Sequence, residues 1–76
     1  MTYRLRYLPD PRYPDAPALY FRRTGRDRRR GWLLWHVVTG DTFQQPTTWR
    51  TLEGVTGFIE ANRWVTEHFE IVEVTA

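Results

Sequence analysis

Thr2 to Leu8, TYRLRYL, alternates strictly, with Tyr3, Leu5 and Tyr7 on one side and Arg4 and Arg6 on the other. A period of two marks a strand with one buried face. Four prolines follow within residues 9–17 (Pro9, Pro11, Pro14, Pro17). Proline removes backbone donors and favours extended chain, so this stretch reads as a stiff surface connector. Ala18 to Thr24, ALYFRRT, predicts a second strand with Leu19 and Phe21 facing inward. Gly31 to Val38, GWLLWHVV, is apolar almost throughout and predicts a central strand covered on both faces. The polar, Gly-bounded loop between them, residues 22–31, makes the pair a hairpin. Thr39 to Asp41 reads as a second tight turn, and Thr42 to Gln45 as a short further strand of the same meander.

Thr51 is placed to cap a helix through LEGVTGFIEA, with Glu53 in the first turn, where the helix dipole favours an acid. At helical spacing Leu52, Val55, Phe58 and Ile59 form one stripe that can lie on a sheet. Asn62, tolerant of left-handed backbone, predicts the stop. Trp64 falls roughly opposite the stripe. A helix ending at Asn62 tucks it into the core, whereas a longer helix would expose it as an interface aromatic. HFEIVEV (68–74) predicts the last strand, where a bulge between Ile71 and Val72 would restore the inward face. Residues 1–76 therefore predict one α+β domain, a mainly antiparallel sheet of four to five strands with one helix on one face.

A 76-residue chain hides only about 60% of its unfolded surface and folds with little margin. With no cysteine, disulfides are excluded, so support must come from four Trp, four Tyr and four Phe. Two His without Cys fall short of a structural zinc site, and no metal or cofactor is expected. No run nears the roughly 20 apolar residues of a membrane span, and no apolar leader follows the N-terminus. The composition thus predicts a soluble cytoplasmic protein without a membrane partner.

Charge changes the picture more than composition does. Residues 1–38 carry nine Arg against three Asp, +6, and residues 39–76 carry two Arg against six acids, −4. All eleven basic residues are Arg, so each cation is planar, permanently charged and suited to bidentate contact with phosphate or carboxylate. Six of them (Arg22, Arg23, Arg26, Arg28, Arg29, Arg30) crowd into nine residues with only Asp27 opposing. A polar hairpin tip is often just a solvated turn, but one-sign crowding costs self-repulsion that a polyanion would relieve. Arg4 and Arg6 form a second basic row, and Tyr20 and Trp32 stand nearby to stack on bases.

Two further patterns resemble known modules. The stretch GWLLWHVVTGDTFQQPTTW resembles the WW module in its strand pair, and Thr42–Phe43–Gln44–Gln45–Pro46 in its closing aromatic-x-x-Pro. Phe43 stands where the module's ligand-binding Trp belongs, so no function carries over. GVTG (54–57) resembles the GxxG loop of KH domains, without the basic residue that loop carries. Two glycines that let a helix approach its neighbour closely explain the pattern as well. The catalytic inventory is thin: Ser, Cys and Lys are absent, and no spacing ties His36 or His68 to Glu70 in an acid–base arrangement. His36 reads as a satisfied core histidine.

Two functions follow. The first is a non-catalytic nucleic-acid-binding accessory protein whose Arg-rich hairpin tracks the phosphates of DNA or RNA. The second is a small regulator, of the kind phages and mobile elements encode, that docks the same loop on an acidic protein surface of a larger enzyme. Glu53, Glu60, Glu67, Glu70 and Glu73 would repel DNA on a wrapped surface, and the charge split permits head-to-tail self-association into a homo-oligomer.

Overall fold

Leu5, fully buried at the centre of the first strand, is where the alternation meets the core. The computed structural model describes residues 1–41 and 43–75. The elements run β1 (Thr2–Tyr7), β2 (Tyr20–Arg26), β3 (Leu33–Val38), α1 (Leu52–Ala61), a 3₁₀ turn (Arg63–Glu67) and β4 (Phe69–Val74). The four strands form one antiparallel sheet in the order β3-β2-β1-β4, with α1 on one face. This is the expected α+β architecture. Among the described residues no helix is long and apolar enough to cross a membrane.

The core lies between the helix and the facing side of the sheet. Leu5, Phe21, Val55, Val65 and Phe69 are buried, and Trp49, Phe58 and Trp64 pack around them. Phe21 is the hub, its ring 5.3–6.4 Å from those of Trp35, Trp49, Phe58 and Phe69. The opposite face carries Arg4, Arg6, Tyr20, Arg22 and His36, as the register dictates: Arg6 sits across from Tyr20 and Arg22 across from His36.

β1 and β2 meet at Arg6 and Tyr20 and then diverge. Thr47–Trp49 fills the gap. The Thr47 amide donates to the Phe21 carbonyl at 3.0 Å, and Trp49 and Tyr3 exchange two backbone hydrogen bonds of 2.8 Å. To reach that gap from the far edge of the sheet, the chain crosses the face opposite the helix. It turns at Gly40 (φ +86°), where a side chain would stand 3.3 Å from the Tyr20 ring, so the crossing itself requires glycine. The connector is clipped by Arg12, whose guanidinium hydrogen-bonds Asp10 and holds that carboxyl below its ordinary range.

Several expectations are corrected. β3 is an edge strand, with Leu34, Trp35 and His36 exposed, rather than a covered central one, and His36 is not a core histidine. A run that is apolar because of Trp and Leu reads alike whether buried twice or half-covered by an aromatic cluster. Phe43 to Gln45 lie in turn and irregular backbone, not a strand, because Asp41 accepts the amides of Phe43 and Gln44 and folds the chain back; Thr42 lies outside the described residues. No bulge interrupts β4, which pairs with β1 in continuous register from Thr2–Val74 to Tyr7–Phe69. The bulge is in β2, between Arg23 and Gly25. Val55, Phe58 and Ile59 face the sheet, but Leu52 is 52% exposed because Trp49 covers that end of the helix, against Gly54 and Phe58. Close approach thus explains Gly54, while Gly57 has nothing near it.

Thr51 caps α1, its hydroxyl accepting from the Gly54 amide at 3.0 Å, and the helix stops at Asn62. Asn62 is not left-handed as expected (φ −135°) but closes the end with its side-chain amide donating to the Phe58 carbonyl at 3.0 Å. Thr51→Ala is expected to cost about 1 kcal/mol. Urea titration followed by far-ultraviolet circular dichroism should show the lower midpoint; an unchanged one would mean the cap contributes nothing.

Candidate functional site

The β2–β3 hairpin is built by Asp27. Its amide donates to the Trp32 carbonyl at 2.7 Å, and its carbonyl accepts from the Gly31 amide at 2.8 Å. One carboxylate oxygen accepts from the amides of Arg29 and Arg30, at 2.9 and 2.7 Å. Gly31 takes the left-handed conformation (φ +71°) that closes such a turn at no steric cost. The single acid in the run thus orders the backbone of the turn, and one carboxylate against Arg26, Arg28, Arg29 and Arg30 leaves an excess of positive charge there.

The run does not form one loop spanning 22–31. β2 continues to Arg26, so Arg22, Arg23 and Arg26 stand on a strand and distribute over both faces. Arg22 lies on the open face opposite His36, and Arg23 on the helix side opposite Trp35. Arg26 is tied into the turn, its Nη1 donating to the Gly31 carbonyl at 2.7 Å. The Arg30 guanidinium lies 4.8 Å from the centre of the Trp32 ring, and Trp32 is 62% exposed. Arg28 and Arg29 are exposed at the tip, and their guanidinium groups have no hydrogen-bond or ion-pair partner among the described residues.

Arg4 and Arg6 sit at the opposite end of the sheet from the tip, and both are engaged. Arg6 forms an ion pair with Glu70, its cross-strand neighbour. Arg4 lies 3.9 Å over the Tyr20 ring, so that ring has a cation on one side and Gly40 against it. Trp64 is half-buried and stacks on Trp35 at 5.2 Å, as follows from a helix that ends at Asn62. Of the three aromatics singled out, Trp32 is the exposed one beside the arginines, with Arg30 over one face of its ring.

One feature escapes the sequence reading. Phe43 is 90% exposed, yet its turn is firmly built. The Asp41 carboxylate accepts from the Phe43 and Gln44 amides at 3.0 and 2.9 Å and from the Thr39 hydroxyl, and the Gln45 side chain donates to the Asp41 carbonyl. The signal was an aromatic alone in a polar turn, with no apolar partner at period two or 3.6. Phe43 and Gln44 stand at the rim of an open cavity of about 570 Å³ on the face opposite the helix, shared with Arg22, Thr24 and His36. Among the described residues no three His, Asp or Glu side chains cluster in a way that could hold a metal ion.

No family model matches the chain, and no curated protein or solved structure matches it either.

Proposed function

We propose that the chain is a small, non-catalytic nucleic-acid-binding accessory protein that contacts phosphates through the β2–β3 hairpin. One observation carries the reading. Asp27, the turn's only acid, accepts backbone amides through one carboxylate oxygen, and the guanidinium groups of Arg28 and Arg29 stand at the tip with no ion-pair partner among the described residues, with Arg26, Arg30 and the exposed Trp32 beside them. Cations on an already ordered turn lose little backbone freedom when a phosphate docks. Arginine matches phosphate geometry bidentately, and an adjacent indole supplies a stacking surface. The test is binding of a fluorescent duplex of mixed sequence, and of its RNA counterpart, in stepped salt. Affinity is expected to be largely independent of sequence, with log K falling linearly in log salt by about 0.9 for each duplex phosphate contacted. No binding at low salt would remove the reading.

The alternative regulator draws on a different observation. β3 is an edge strand that exposes Leu34 and Trp35 close to the arginines, and such an edge can receive a strand from another protein. Under that reading, nucleic-acid affinity is negligible and a protein partner stays bound after nuclease treatment of the lysate.

A further inference from the structure

We infer that the open cavity on the face opposite the helix holds single-stranded nucleic acid, with Phe43 stacking on an unpaired base and Arg22 and His36 contacting the neighbouring phosphate. The inference rests on the nucleic-acid reading above and names the form of nucleic acid that reading leaves open. Three observations point the same way. Phe43 is 90% exposed on a turn locked by Asp41, so an apolar ring is presented to solvent at low ordering cost for whatever covers it. Arg22 and His36 are cross-strand partners on the same open face, and both can donate hydrogen bonds to a phosphate. Among the described residues no acidic side chain lines the cavity, whose volume of about 570 Å³ falls in the range of ligand clefts. Asp41, the nearest acid in sequence, has its carboxylate turned to the amides of its own turn.

A duplex keeps its bases stacked on one another and offers Phe43 nothing to cover. An unpaired strand offers a π-face at every base, and base–aromatic stacking tolerates sequence. The hairpin tip and the cavity lie toward opposite ends of β3, whose six residues span about 20 Å, so one short strand can reach from the tip arginines to Phe43. The tip then supplies general phosphate attraction, and the cavity supplies the preference for single strands.

The experiment uses the full chain with two probes, fluorescent oligo(dT) and a mixed-sequence duplex. Phe43→Ala is expected to weaken oligo(dT) binding by about 5- to 150-fold, the usual effect of removing one stacking platform. Duplex affinity should remain at the wild-type level, and Phe43→Trp should restore oligo(dT) binding. Because Phe43 covers no core residue, thermal unfolding of the variants should match the wild type. Equal oligo(dT) affinity in Phe43→Ala and wild type would overturn the inference while leaving the hairpin reading intact. Wild-type binding to duplex but not to oligo(dT) would overturn it too. Failure of the wild type to bind either probe would instead remove the hairpin reading, and the inference with it.

Discussion

Replacing Phe21 with alanine is expected to lower stability by about 3–5 kcal/mol, the usual cost of truncating a buried Phe. The ring is fully buried and contacts four other aromatic rings drawn from β3, the bridging segment, α1 and β4. Its loss empties the point at which every layer meets, and a core this small has few side chains able to move into the space. A 76-residue domain has only roughly 4–11 kcal/mol of stability in total, so between about a quarter and all of it would disappear. Denaturant titration followed by near-ultraviolet circular dichroism should show the transition at far lower denaturant, or no transition at all. Ile71→Ala is the control: it lies opposite Leu5 in the register but is 39% exposed, and should cost much less. Similar losses for the two variants would mean that the core is not centred on Phe21.

Phe21 was legible because it stands in an alternating strand, and the same is true of Leu5. The helix was legible from Thr51 and the stripe, since N-cap chemistry and periodicity agree there; its stop falls at Asn62 as the sequence predicts, but is made by a side-chain contact to Phe58 and not by left-handed backbone. What could not be read is anything set by contacts distant in sequence. β4 pairs with β1, and that pairing makes β3 an edge; nothing local to GWLLWHVV distinguishes an edge from a centre. Likewise the exposure of Leu52 depends on Trp49, which is held in place by Tyr3 at the other end of the chain.

The candidate site was legible in its charge and not in its geometry. The arginine run was plain, but its partition into strand and tip depends on where the hairpin closes, and Asp27 sets that by accepting two amides. Tyr20 looked available next to the run, yet Arg4 from another strand lies over its ring. Phe43 carried no periodic signal at all. Its exposure is set by Asp41, which folds the turn by accepting the Phe43 and Gln44 amides.

Changing Arg26, Arg28, Arg29 and Arg30 together to Gln is expected to abolish most of the salt dependence of nucleic-acid binding while the domain stays folded. Arg26 gives up one hydrogen bond to Gly31 and Arg30 its position over Trp32, both at exposed sites. Relief of like-charge repulsion offsets part of that loss, so the unfolding midpoint should move by no more than about 4–8 °C, the equivalent of 1 kcal/mol in a domain of this size. Binding behaves differently. Each duplex phosphate contact contributes about 0.9 to the slope of log K against log salt, so four lost contacts reduce it by up to about 3.6. Raising salt fourfold would then weaken the wild type by up to roughly 150-fold more than the variant. The double variant Arg28→Gln, Arg29→Gln separates charge from turn structure, because those two guanidinium groups have no partner among the described residues. It should reduce the slope by up to about 1.8 without moving the unfolding midpoint. If both variants keep the wild-type slope, the arginines hold no phosphates and the hairpin is a solvated turn. If a protein is retained after nuclease treatment and lost from both variants, the same arginines face an acidic protein surface instead.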